Sequence, residues 1–366
     1  STHHAHGHAP TRRRPPLRMV AELAGVSTAT VSYVFSGRDG GVSGAGVAPE
    51  TARRVRDAAE QLNYRPNRAA RAIRTGRTDT VQLSLPVLSD PWSLAVAEAV
   101  NTEAKRHGLT TLILADGDWN TALDRIECDV AYIDEAPDTA EVRGKLAGLV
   151  ERGQRLVVFA EHLEPDGYDV IRSDALPGCE LAMAHLLERH TRIGCLAPEA
   201  SIAGAVTGRT RYSVYLEALK AKGIDVNPAW SEGYQPSPAS AFAAAVRLLS
   251  ASDRPTAIFA TTDFAGIAAI NAAHMLGLRV PSDVAVIGVG NTPDAATIAP
   301  TLSTVGPTDF YERQAQIIVA RALADDGEPV RMHEFEWSLH LGGSTDLDGA
   351  VPRRGGAAHL AEEGAD

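Results

Sequence analysis

The sequence predicts a small all-α headpiece joined to a larger α/β body built on parallel sheets, and three observations carry that prediction. Residues 20–32 read as two short helices around a tight turn. From Thr80 onward, short apolar runs alternate with amphipathic helices. Charge is split between the two parts. Residues 11–77 hold 13 Arg, no Lys and 5 acidic residues, whereas the remainder holds 22 basic and 41 acidic residues. The whole chain has 366 residues and a formal net charge of −11. A basic end on an acidic body suits a protein that grips phosphates with one part only, so double-stranded DNA is the expected partner.

The headpiece is read first. Val20, Leu23 and Ala24 give one helix an apolar face, Gly25 permits a turn that a Cβ would hinder, and Ser27 can accept from the free N–H groups of a second helix. That helix opens with Thr28, Ala29, Thr30 and Ser32, all small enough to approach a base edge, and continues to Tyr33. The layout is that of a helix-turn-helix whose second helix enters the major groove. An ordinary pair of packed helices is the competing reading. A longer Gly-rich loop follows over 36–48, then an amphipathic helix over 49–62. Pro66 cannot continue a helix, and Asn67 can cap a new one running through Arg68, Ala70, Arg71 and Ile73. That segment is too short to be stable alone.

These elements, with Tyr64-Arg65-Pro66-Asn67 and Arg74-Thr75-Gly76-Arg77-Thr78, resemble the lactose-repressor (LacI/GalR) family of bacterial transcription regulators. The resemblance continues more loosely to about residue 345. It implies that Thr28, Ala29 and Tyr33 read base edges, with Ser27, Thr30 and Ser32 beside them. It also implies that Asn67, Arg68, Ala70, Arg71 and Ile73 form a hinge helix that pairs with its copy in the minor groove, Ile73 acting as the wedge. Two departures stand out. Pro16 and Met19 occupy positions that are polar and acidic in relatives, and the 36–48 loop looks like an insertion of about six residues, a length change that costs little stability.

In the body, strands are expected over 80–85, 109–115, 129–133, 156–160, 192–197, 256–260 and 284–289, with helices over 91–106, 206–221 and 264–276. Only residues 117–127 are left for a connection that should carry a full helix, so that helix must be short or irregular. The resemblance implies a two-lobed, periplasmic-binding-protein-like (type I) effector domain with a ligand cleft between the lobes. The expected limits are a disordered tail over 1–15, a DNA-binding headpiece over 16–66 and a hinge over 67–78. One lobe then takes 79–172 and 308–332, the other 173–307 and 333–345, and a second disordered tail follows over 346–366.

The cleft residues implied by the resemblance are Asp90, Trp92, Glu161, Arg211, Thr262 and Phe310. Arg211 suits sugar hydroxyls or a carboxylate, because a guanidinium can bond two oxygens at once. Asp263 reads as a helix cap. Relatives carry an aromatic and then an acid after Gly288, where this chain has Val289 and Gly290. Loss of that acid weakens the case for a neutral sugar and favours an anionic ligand facing Arg211.

Catalysis finds no support in the sequence. There is no P-loop, no HExxH and no GxSxG elbow, and Gly288-Val289-Gly290 lacks the third glycine of a dinucleotide loop. No cofactor is expected. His3, His4, His6 and His8 lie in a segment with no fold to fix metal geometry. Cys128, Cys179 and Cys195 have no CxxC spacing and suit buried thiols in a reducing cytoplasm. No apolar run approaches a membrane span. Tetrameric members of the family it resembles end in a leucine heptad helix; residues 346–366 have only Leu347 and Leu360 as leucines and cannot form such a seam, so the resemblance implies a homodimer.

The functional expectation is an effector-controlled, sequence-specific transcription regulator, as a rule a repressor, on a near-palindromic operator. The rivals are a regulator that has lost small-molecule control or answers to a protein partner, and a solute-binding protein with a vestigial headpiece.

Overall fold

The computed structural model describes residues 15–35, 46–67, 72–73, 75–115 and 117–349. Residues 1–14 of the expected 1–15 tail, residues 36–45 of the Gly-rich loop, Arg68, Ala70 and Arg71 of the hinge, and residues 350–366 lie outside the described residues. The chain divides into two compact units, residues 1–78 and 79–366.

In the first unit, α1 (Leu17–Ala24), α2 (Thr28–Phe35) and α3 (Pro49–Gln61) pack around Val20, Val31 and Val55, all fully buried. Gly25 ends α1 in the left-handed conformation (φ 65°). From there Gly25 N–H reaches Glu22 O at 3.3 Å and Val26 N–H reaches Ala21 O at 3.0 Å. This paired closure turns the chain sharply into α2. Asn63, at φ 48°, closes α3 the same way, with Tyr64 N–H on Ala59 O at 2.7 Å. Ser27 caps α2, its Oγ accepting from Thr30 N–H at 3.1 Å. Pro16 precedes α1 without a side-chain cap, and Met19 N–H donates to its carbonyl at 3.0 Å.

The second unit holds two six-stranded sheets. The first comprises β1 (Thr80–Ser84), β2 (Thr110–Leu114), β3 (Val130–Ile133), β4 (Leu156–Ala160), β5 (Asp169–Arg172) and β11 (Met332–His333), in the order β11-β5-β4-β3-β1-β2. The second comprises β6 (Ile193–Pro198), β7 (Ser231–Tyr234), β8 (Ala257–Ala260), β9 (Ala285–Val289), β10 (Ser303–Pro307) and β12 (Trp337–His340), in the order β12-β10-β9-β8-β6-β7. Among the described residues only the β10–β12 pair is antiparallel. The inner strands are buried along their length because helices cover both faces.

Around the first sheet, α4 (Pro91–Arg106) and α12 (Phe310–Leu323) cover one face. The short α5 (Trp119–Arg125) and α6 (Ala140–Glu151) cover the other. Around the second, α7 (Ala175–Leu187) and α9 (Arg211–Ala221) face α10 (Pro238–Ser250) and α11 (Asp263–Met275) across the strands, and α8 (Glu199–Ile202) is a single turn after β6. The chain passes between lobes after β5, after β10 and after β11. α9 starts five residues later than its expected helix because Thr210 and Ser213 form a reciprocal capping box there. Residues 346–349, assigned to a tail from their composition, continue the fold: Asp348 ion-pairs with Arg189.

Candidate DNA-reading face and ligand cleft

On α2 the buried positions are Val31 and Val34, which turn the opposite side outward. Ser27, Thr28 and Ala29 are exposed, while Thr30, Ser32 and Tyr33 are half-buried. Thr28 and Ser32, and Ala29 and Tyr33, are each one turn apart and therefore share a face. Thr30 is already engaged, its Oγ1 lying 2.9 Å from Ser27 Oγ. Arg53, Arg54, Arg56 and Arg65 are exposed on the same unit, cations suited to phosphate contact. Of the hinge residues, Asn67 is exposed and Ile73 lies in helical conformation with 87% of its surface open.

Within the second unit a cleft of about 870 Å³ opens at the carboxyl ends of the strands of both sheets. Asp90, Trp92, Glu161, Arg211 and Thr262 line it. Phe310 does not. It is 2% exposed and stacks behind Trp92, ring centroids 4.9 Å apart, so it sets the indole's position from the core. Trp92 is fixed from another side by its Nε1–H, which donates to Asp134 Oδ1 at 3.4 Å. The same oxygen accepts from Tyr132 O–H at 2.6 Å, and Tyr132 Oη accepts from Gln314 at 2.8 Å.

Asp90 caps α4, its Oδ1 accepting from Trp92 N–H at 3.0 Å. Burial first, then the nearby Glu135 and Asp263 carboxylates, push its pKa up to about 6, against the Trp92 N–H and Arg211. Burial and Glu135 push Asp134 up to about 7, against the hydrogen bonds from Tyr132 and Trp92. Burial also raises Glu161. Arg211, the first residue of α9, donates to Thr261 O at 2.8 Å and to Glu135 Oε1 at 3.3 Å. Glu135 follows β3 on one lobe and is held at φ 52°, so this ion pair ties one lobe to the other across the cleft.

The strand end at Gly290 is built against an acid. Gly290 sits at φ 132°, and a Cβ there would stand 3.7 Å from Asp263 Oδ2. Asp263 is buried and accepts from Thr292 N–H (2.7 Å), Thr292 O–H (2.8 Å) and Thr304 O–H (2.6 Å). It fastens the ends of β9 and β10 to α11. The cap of that helix is Thr262, which accepts from Ala265 N–H at 3.3 Å and lies 3.1 Å from Tyr234 Oη.

Residues 17–67 match the bacterial regulatory proteins of the lacI family, and residues 183–345 match the periplasmic binding protein-like domain. The HTH-type transcriptional repressor PurR of Pectobacterium atrosepticum is 32% identical over 297 residues, covering 79% of this chain and 84% of that protein. The HTH-type transcriptional regulator CelR of Thermobifida fusca is 31% identical over 343 residues, covering 88% and 96%. The chain belongs to the lacI family. Among solved structures, a CelR–cellobiose complex aligns at 27% identity with a TM-score of 0.56, covering 90% of this chain and all of that one. A lac repressor dimer bound to operator and the anti-inducer ONPF shares the fold, with a TM-score of 0.66 at 21% identity, covering 91% and 99%.

This lacI-family chain is thus a DNA-binding transcriptional regulator with a helix-turn-helix domain and a two-sheet, periplasmic-binding-protein-like domain, and its relatives are regulators, not enzymes. No described helix is long and apolar enough to cross a membrane. Among the described residues no group of His, Cys, Asp or Glu could hold a metal ion. Sequence reasoning missed Asp134 and Glu135, two acids that line the cleft. Their signal was present: an acidic pair immediately after the apolar run 130–133, at the carboxyl end of a parallel strand.

Proposed function

We propose that this regulator binds a near-palindromic operator as a homodimer, as a rule as a repressor, under control of a small-molecule effector held between the lobes. The observation that carries the reading is the cleft, walled by both lobes and bridged by Glu135 and Arg211. A ligand that makes or breaks such a bridge has different affinities for two lobe arrangements, the requirement for population shift. The cellobiose bound to the CelR relative supports a small polar molecule as the signal.

Reading of base edges is assigned to Thr28, Ala29 and Tyr33, helped by Ser27, Thr30 and Ser32. Hinge contacts fall to Asn67, Arg68, Ala70, Arg71 and Ile73. Effector contacts fall to Asp90, Trp92, Glu161, Arg211 and Thr262, with Phe310 supporting Trp92 from behind. The proposed limits are 16–66 for the headpiece, 67–78 for the hinge, and 79–349 for the two-lobed body, with the cytoplasm as the place of action. The open edge of the first sheet supports the dimer. There β2 leaves Leu112 and Ile113 more than two-fifths exposed, and α4, which packs against β2, leaves Leu94 52% exposed. An exposed apolar strand edge is a liability for a monomer.

The test is titration of the purified protein onto fragments of its own gene neighbourhood, with and without candidate small molecules. One fragment should bind far more tightly than the rest, and one ligand should change that affinity at least tenfold. Specific binding that no small molecule alters, but that a co-purifying protein does, would favour control by a partner.

A further inference from the structure

Charge in the cleft is unbalanced once its ion pairs are counted. Of the basic groups in its walls, Arg209 is taken by Glu217 at 2.7 Å and by Glu180. Arg211 is taken by Thr261 O and Glu135. Asp138 has Arg143. Asp90, Asp134 and Glu161 face the cavity, and among the described residues no arginine or lysine is bonded to them, Glu161 having His162 at 3.8 Å. All three belong to the first lobe. A second feature of the same walls points the same way: Trp92, Tyr212, Tyr234, Phe264 and Trp337 line the cavity too. Carboxylates beside aromatic rings form the environment that stabilises an organic cation, through opposite charge and through the negative ring faces. An anion would meet three carboxylates and an arginine already engaged.

Resting on the reading of the cleft as the effector site, we propose that the effector is a cation: a protonated amine on a small hydroxyl-bearing skeleton. Its ammonium sits toward Asp90, Asp134 and Glu161, and its hydroxyls toward Arg211 and Thr262 on the other lobe. Burial first, and then neighbouring carboxylates, disfavour the ionised forms of these acids, and the ammonium offsets that cost. Binding is therefore linked to protons. Asp90 is raised to about 6 and Asp134 to about 7. A cation selects their ionised forms, so its affinity rises as pH climbs through that range. The charged and titratable groups facing the pair are Glu135, Arg211, Asp263, Tyr132 and Tyr311, with Glu161 and His162 close by.

The experiment uses the full chain and three probes of one skeleton, 1-amino-1-deoxysorbitol, sorbitol and gluconate, with cellobiose as a neutral sugar. Melting temperature is followed against probe concentration between pH 5.5 and 8. The amine should bind at least tenfold more tightly than sorbitol and gluconate should not register. The amine's advantage should grow with pH. Asp134→Asn should cut the amine-to-sorbitol ratio about tenfold, the worth of one charge-assisted contact, and flatten the pH dependence. Glu161→Gln should lower the ratio with the slope retained. Both unliganded variants should melt no lower than the parent, since each removes a like charge.

Tighter binding of sorbitol, gluconate or cellobiose than of the amine overturns the cation assignment and leaves the cleft as an effector site. An amine response untouched by either substitution also overturns it. Silence from all four probes also overturns it, and the operator titration with other small molecules then decides the effector reading separately.

Discussion

Thr28 and Ala29 stand exposed at the start of α2, while the carboxyl-side residues of the same face, Ser32 and Tyr33, are half-buried. Reading should therefore concentrate in the first turn. Exchanging the two residues, Thr28→Ala with Ala29→Thr, should change which base pairs are selected from random operators and leave the salt dependence of binding unchanged. Base-edge contacts carry sequence information and phosphate contacts do not. Identical selected sites from both proteins would move base reading off this turn. A second residue-scale expectation concerns Gly290. Its φ of 132° lies where side chains are strained, and an acid placed there would face the buried Asp263 carboxylate. Gly290→Asp should lower stability by about 1–3 kcal/mol, the usual cost of one strained residue, read as a lower urea midpoint with no gain in glucose affinity. Unchanged stability with new glucose binding would show that the strand end can re-form as relatives have it. The substitution of glycine was visible in the sequence, but its reason was not. Asp263 reads locally as a helix cap, and only the folded chain brings its carboxylate to Thr292 and Thr304, far along the sequence.

At the scale of elements, α12 is the returning segment that the first lobe borrows after the second lobe has been built, and one buried carboxylate pins it. Asp169 of β5 is 1% exposed and takes hydrogen bonds from Arg321 of α12 and from Arg331 N–H, with His333 Nε2 3.4 Å away. Burial alone would raise this carboxyl; His333, Arg321 and the Arg331 N–H outweigh it and hold the pKa below the ordinary value. The sign follows. A depressed folded pKa contributes stability that is present above the unfolded pKa, about 3.9, and lost as pH falls through the folded value. Asp169→Asn should cost about 3–5 kcal/mol at pH 7, because it strands the buried Arg321 guanidinium without a counter-charge. The difference from wild type should shrink in acid, measured by urea unfolding at pH 7 and pH 3.5. A cost under about 1 kcal/mol at pH 7 would mean the pair is screened by solvent. Strands and helices were legible from alternation and caps, as with the shortened connection after β2, which folds as the seven-residue α5. The Asp169–Arg321 pin was not, because periodicity carries no trace of partners 152 residues apart. The cleft was half legible for the same reason. The family resemblance pointed to Asp90, Glu161 and Thr262, but the engagement of Arg211 by Glu135 requires two lobes to meet, and Phe310 turned out to face Trp92 from the core.

For the whole molecule the governing fact is charge opposed along one chain: a basic headpiece whose grip grows with every arginine, and an acidic body that repels the same DNA. Such a protein gains affinity and orientation by doubling, because two headpieces neutralise twice as many phosphates on a two-fold operator. The slope of log affinity against log salt is about −0.9 for each phosphate neutralised, so a dimer making six or more contacts should lose about three decades between 50 and 200 mM salt. Leu112 and Ile113 on the open β2 edge give a way to separate the two halves without touching the headpiece, being 41% and 49% exposed. Leu112→Glu with Ile113→Glu places two like charges per subunit at the proposed seam. That change should yield monomers in sedimentation experiments, weaken operator binding by at least a hundredfold at 100 mM salt, and reduce the salt slope to about half. The halved slope is the decisive readout, since a merely misfolded body would lose binding without any fixed relation to the number of phosphates. A variant that stays dimeric would place the seam elsewhere on the body. A monomer with an undiminished slope would show that one headpiece makes all the phosphate contacts, and the two-fold operator would no longer be needed to explain the arginine block.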